Sequence, residues 1–206
     1  MRFADCLLVV FACVLVMSIG CKSSDDVINT PPVADGACSN PPGVNNRFVD
    51  CGNGTVTDTQ TGLIWLKNAN CFFSQDWDAA MAFAAGLKSG DCGLTDNSAA
   101  GNWRLPTLSC AFSPCQPIET ASGEFASIFN SGVCGTAPYA LNANGTACST
   151  VAPASPFTGV LQGNYWSSTP YANSPNYAWS VTLNGGYVFI ADKSSAHSSW
   201  PVRGGP

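Results

Sequence analysis

The sequence predicts an α+β domain, and three observations carry the prediction. Two β-rich runs, Phe48-Val49-Asp50 and Thr55-Val56-Thr57-Asp58, flank Cys51-Gly52-Asn53-Gly54. An Asn-Gly turn between such runs makes a hairpin. Residues 74–88 repeat apolar side chains at helical spacing, and the C-terminal third is a succession of strand signals joined by turns. A helix between an early hairpin and a later antiparallel sheet defines the class.

The first 20 residues read as an address rather than fold. One basic residue, Arg2, precedes an apolar run from Cys6 to Met17, which small residues close. The run is too short for a spanning helix, which needs about 20 apolar residues, and it fits a secretory signal. Gly20 then precedes Cys21, which resembles a lipobox. In that motif the cysteine thiol receives a lipid and cleavage follows before it. Ser18, where the pattern usually has Leu, and Asp5 in the n-region depart from it. A plain signal peptide cut near Gly20 is the alternative. Lipid attachment at Cys21 is the expectation, because an exposed thiol in an oxidising compartment is a liability. Lys22 follows where an Asp would resemble an inner-membrane retention signal. The expected location is therefore the cell envelope, lipid-anchored at the outer membrane. Residues 21–46 are rich in Ser, Asp, Asn and Pro and read as a solvated tether. The folded domain then spans residues 47–206.

Eleven cysteines in 206 residues are too many for an ordinary cytosolic enzyme. Cys6 and Cys13 leave with the signal and Cys21 takes the lipid. Cys38, Cys51, Cys71, Cys92, Cys110, Cys115, Cys134 and Cys148 remain. An even set in an exported chain reads as a disulfide framework. Neighbour pairing is expected: 38–51, 71–92, 110–115 and 134–148. No C-x-x-C pair exists and the single histidine, His197, is remote, so no metal site and no cofactor are expected.

Within the domain, Leu63-Ile64-Trp65-Leu66 reads as a short buried strand. In the helix over 74–88, Ser74 is the expected cap. Asp76 and Asp78 sit where the dipole favours carboxylates, and Trp77, Met81, Ala84 and Leu87 form the apolar stripe. Gly90 ends it. Dipole complementation explains the two aspartates better than a catalytic pair does. Thr107 opens a possible second helix that Pro114, Pro117 and two cysteines interrupt, and a shorter helix fits residues 123–129. Residues 132–163 have no sustained period, and a loop of that length is usually functional or disordered. Residues 164–169 read as a strand. Tyr177, Trp179, Val181 and Leu183 then alternate with Ala178, Ser180 and Thr182. Asn184-Gly185-Gly186 is a hairpin turn, residues 187–191 form the return strand, and Trp200-Pro201-Val202-Arg203 the last.

These motifs, taken in order, resemble one family. They are Arg47-Phe48-Val49-Asp50, Gly54-Thr55-Val56-Thr57-Asp58, Thr61-Gly62-Leu63-Ile64-Trp65, Trp77 with Ala79-Ala80, Trp103-Arg104-Leu105-Pro106-Thr107, Tyr165-Trp166-Ser167-Ser168-Thr169 and Val202-Arg203-Gly204-Gly205. Together they are similar to the Lcl C-terminal domain family, over residues 47 to 205. The resemblance implies a C-type-lectin-like fold: adjacent termini, two helices, a small antiparallel or mixed sheet and a long loop region. Calcium-dependent sugar binding in true C-type lectins uses a Glu-Pro-Asn or Gln-Pro-Asp triplet and a Trp-Asn-Asp. Here Gln116-Pro117-Ile118 and Trp166-Ser167-Ser168 stand instead, so that calcium site is not expected. The adhesin that names the family recognises sulfated polysaccharides. The net charge of −5 argues against that ligand and, with eight basic residues in all, against nucleic acid.

Two functional readings follow. The first is a binding module for a neutral glycan or a surface protein, with Asn164, Tyr171, Asn173 and Asn176 as the ligand-binding candidates. Aromatic faces and amides suit sugar stacking and hydroxyl hydrogen bonds. The second is an enzyme, and it is not the expectation. Trp200 and the Val202-Arg203-Gly204-Gly205 ending also resemble formylglycine-generating enzymes, but those use a cysteine pair near the C-terminus. Here the last cysteine is Cys148. His197, in a serine-rich stretch, is the one candidate base and is expected to be solvated. A purely structural envelope protein remains the third possibility.

Overall fold

The structure is a computed structural model that describes residues 36–39, 42, 47–115, 121–129, 156–161, 163–183 and 187–204. The described residues all lie within residues 31–206. The order is β1 (Phe48–Asp50), β2 (Thr55–Asp58), β3 (Leu63–Leu66), α1 (Trp77–Gly86), α2 (Glu124–Phe129), β4 (Asn164–Pro170), β5 (Tyr177–Thr182), β6 (Tyr187–Asp192) and β7 (Val202–Gly204).

The strands form two antiparallel sheets rather than one. One has the order β1-β2-β3-β7 and the other β4-β5-β6. The first hairpin pairs Phe48 with Asp58 and Asp50 with Val56, and Cys51 N–H donates to the Thr55 carbonyl, so the connection is a three-residue loop, Gly52-Asn53-Gly54, rather than a two-residue Asn-Gly turn. Gly54 must be glycine: its φ is +86°, and a Cβ there would come 2.5 Å from the Gly93 carbonyl oxygen. β3 then pairs with both β2 and β7, so the last strand joins the early sheet at its edge, beside β3.

Between the sheets lies the main core. Trp65, Phe125, Phe157, Tyr165 and Trp200 meet there edge-on or tilted, with ring centroids 5.0–6.3 Å apart. Such pairs add about 0.5–1.5 kcal/mol each beyond area burial. The Trp200 indole N–H donates to the Leu66 carbonyl at 2.8 Å and ties the last segment to β3.

The second core is small. Ala80 and Ala84 of α1 pack on Trp166, Ala178, Ala191 and Leu105. Alternation in β5 therefore does not separate a wet face from a dry one. Trp179 and Val181 face the main core, while Ala178 and Ser180 are equally buried. Their small side chains let α1 approach the sheet.

α1 begins later than its sequence pattern implies. Gln75 exchanges two backbone hydrogen bonds with His197, which holds the chain extended through Gln75. Asp76, not Ser74, is the cap, and its carboxylate accepts from the Ala79 N–H at 2.8 Å. The buried helix face is Ala80 and Ala84, with Trp77 and Met81 half-buried beside it. Thr107 starts no helix. It lies in an extended segment and caps α2 from outside: Thr107 Oγ1 accepts from Glu124 N–H, and a Glu124 carboxylate oxygen accepts from Thr107 N–H. That reciprocal arrangement is a capping box built from residues far apart in sequence.

Three disulfides join described residues: Cys38–Cys51, Cys71–Cys92 and Cys110–Cys115. Cys134, Cys148, the Asn184-Gly185-Gly186 turn and Cys21 lie outside the described residues. The first disulfide brings part of the stretch read as tether onto the domain. Cys38 N–H donates to Thr57 Oγ1, and Gly36 lies against the Arg203 guanidinium, so the entering and leaving segments run side by side.

Candidate functional site

The β4–β5 connection turns at residues 171–176. Tyr171 N–H donates to the Tyr177 carbonyl at 2.9 Å, and Tyr177 N–H donates to Ser174. Tyr171 is half-buried, not free in solvent, because its ring stands edge-on to Trp179 with centroids 5.6 Å apart. Its hydroxyl oxygen accepts from Asn173 Nδ2 at 3.1 Å. Asn173 and Asn176 are exposed.

Asn164 is not part of this group. It pairs with Thr182 at the start of β4, whereas the turn follows Pro170 at the other end. Six strand residues at ~3.3 Å each separate them by roughly 20 Å. The structure thus gathers Tyr171, Asn173 and Asn176 into one loop and sets Asn164, exposed, at the opposite end of the sheet.

Beside that loop is a cleft of about 390 Å³ lined by Asp78, Pro175, Asn176, Asp192, Lys193 and Ser194. Three elements meet at it. Lys193 N–H donates to the Asn176 carbonyl, and Trp77 N–H donates to the Lys193 carbonyl. The Lys193 ammonium sits 4.1 Å from the centroid of the Trp77 ring, a cation–π contact. The Trp77 indole N–H is spent on the Ser167 carbonyl at 2.8 Å. Asp192 accepts from both the N–H and the hydroxyl of Ser194, and these bonds hold its carboxyl below the usual range. Sequence reasoning missed Lys193 and Asp192 as cleft residues. Asp192 ends β6 and Lys193 follows it, and only the β5–β6 pairing, which sets Tyr177 opposite Asp192, brings them beside the loop.

His197 is a correction. It is buried, at 7% exposure, rather than solvated. Its ring stacks on Trp166 with centroids 4.2 Å apart, and burial pushes its pKa down to about 4. The Ser180 hydroxyl donates to the Tyr165 carbonyl at 2.8 Å, and its oxygen lies 2.8 Å from His197 Nδ1. That network assigns the imidazole hydrogen to Nδ1, donating to Ser180. A histidine arranged so cannot take the serine proton, and Ser180 is itself fully buried. The pair is packing, with its polar atoms satisfied.

Ser167, at the place of the second calcium element, is also turned inward. Its hydroxyl donates to the Trp179 carbonyl at 2.8 Å and accepts from Thr169 N–H. Among the described residues, no group of three His, Cys, Asp or Glu side chains is placed to hold a metal ion.

A family model described as the Lcl C-terminal domain matches residues 54–203. No curated protein and no solved structure matches the chain.

Proposed function

The chain belongs to the Lcl C-terminal domain family, and from that membership we propose an exported, lipid-anchored binding module of the cell envelope. In this reading the domain has a C-type-lectin-like fold and recognises a glycan or a surface protein without calcium.

Family membership supports a surface-associated domain. Anchoring rests on the sequence alone, through the apolar run before Gly20 and Cys21. No helix among the described residues is long and apolar enough to cross a membrane. The outer membrane is the proposed site, on the strength of Lys22.

One observation carries the recognition reading. Tyr171 is fixed against Trp179 and holds the Asn173 amide, while Asn176 opens onto the adjoining cleft. A rigid aromatic with amides around it is the chemistry that sugar hydroxyls or a peptide backbone would meet. Calcium independence is supported by Ser167, whose hydroxyl is consumed inside the sheet. A glycan array probed with the full chain, with calcium and with chelator, tests recognition. Incorporation of labelled fatty acid into wild type and Cys21→Ser tests the anchor.

A further inference from the structure

Resting on that recognition reading, we propose that the cleft beside the β4–β5 loop is the ligand subsite, and that it takes the hydroxyl face of a neutral pyranose in preference to a sulfated one. Its volume of about 390 Å³ lies at the small end of ligand sites, which span roughly 300–1,000 Å³. That suits a single terminal sugar or a disaccharide end.

The walls are set before any ligand arrives. The backbone bonds from Lys193 to Asn176 and from Trp77 to Lys193 fix the loop, the end of β6 and the start of α1 relative to one another. Fixed walls reduce the ordering cost of binding.

The chemistry of the lining selects the class. Asp78 and Asp192 offer only acceptors. One Asp192 oxygen already accepts from Ser194, and the carboxylate lines the cleft. Lys193 offers only donors, and the Asn176 amide and Ser194 hydroxyl can do both. A sugar hydroxyl also both donates and accepts, so it satisfies every wall. A sulfate only accepts, and two carboxylates against one ammonium repel it. The Lys193 ammonium lies over the Trp77 ring, which holds it at the cleft wall. The Pro175 ring adds an apolar wall for the C–H face of a pyranose.

The test uses ¹⁵N-labelled full chain titrated with lactose, maltose and mannobiose and with their sulfated forms. The expected result is that a neutral disaccharide shifts the amides of Asn176, Asp192, Lys193 and Ser194. Its sulfated counterpart binds at least tenfold more weakly. Asp78→Asn combined with Asp192→Asn weakens the neutral sugar tenfold or more and narrows the gap to the sulfated one, while the rest of the spectrum stays native. Equal or tighter binding of sulfated sugars at these amides overturns the proposal. So does a neutral sugar whose shifts map to other surfaces, which would leave the broader recognition reading standing. Failure of every sugar here and on the array, with capture of a surface protein only, overturns the glycan class altogether.

Discussion

The imidazole of His197 lies on the indole of Trp166, ring centroids 4.2 Å apart and planes 29° from parallel. Ser180 meets the imidazole edge at 2.8 Å. The stack joins the segment that pairs with Gln75 to the face of the sheet that receives α1.

Acid should therefore loosen this part of the molecule. Burial lowers the His197 pKa from 6.5 to about 4. Between those values the unfolded chain takes up a proton that the folded chain refuses. Stability is full above about pH 6.5, falls as pH drops, and levels off below about 4 for this group. The full effect is at most about 3 kcal/mol, reduced by solvent screening. Urea midpoints of wild type and His197→Gln, measured from pH 7.5 to 4, check it. The difference between the two slopes should vanish above pH 7, and equal slopes throughout would refute the assignment.

Gly123 has a φ of +110°, and a Cβ there would come 2.6 Å from the Thr107 carbonyl oxygen. That is backbone against backbone, at the junction where Glu124 and Thr107 cap each other. Gly123→Ala should cost about 2 kcal/mol or more, from strain and overpacking together. Chemical denaturation measures it, and a loss under about 0.5 kcal/mol would contradict the packing described.

Two ion pairs should behave differently. Arg47 meets the fully buried Asp58 carboxylate through two hydrogen bonds of 2.8 and 2.7 Å, and Asp58 also accepts from Gln60 N–H and the Thr61 hydroxyl. Asp58→Ala should cost about 3 kcal/mol, because it strands a half-buried guanidinium and removes the acceptor of two further donors. Lys67 and Asp50 are paired at 2.6 Å but are each about a third exposed. Lys67→Ala should cost less than about 1 kcal/mol.

The disulfides should rank by loop length. Cys71–Cys92 spans a sequence separation of 21 and Cys110–Cys115 one of 5. In the chain-entropy model their removal costs about 3 and about 2 kcal/mol respectively. Paired Cys→Ala variants, compared by thermal unfolding, give the order. A non-reducing peptide map should also recover the 38–51, 71–92 and 110–115 peptides as separate linked pairs.

Much of the architecture was legible because it is local. The Gly52-Asn53-Gly54 loop closes the first hairpin, and the apolar run Leu63–Leu66 makes a strand buried on all sides. The misreadings concern long-range pairing. Ser74 looks like a cap until Gln75 is seen to pair with His197, some 120 residues on. His197 looks solvated among serines until Ala178 and Ser180 are seen to leave room for it beside Trp166. Thr107 caps a helix that begins 17 residues later. The loop residues Tyr171, Asn173 and Asn176 were readable as a turn with useful side chains. Their partners across the cleft, Asp78 and Asp192, belong to elements whose proximity only the folded chain defines.

The most direct test is array binding by the full chain in calcium and in chelator, beside the Asn173→Ala/Asn176→Ala variant. These residues are exposed, and Tyr171 stays packed on Trp179 without them. The account predicts equal wild-type binding in both buffers and loss of at least tenfold in the variant, with an unchanged melting temperature. Binding that requires calcium, or that survives the double substitution, would contradict it.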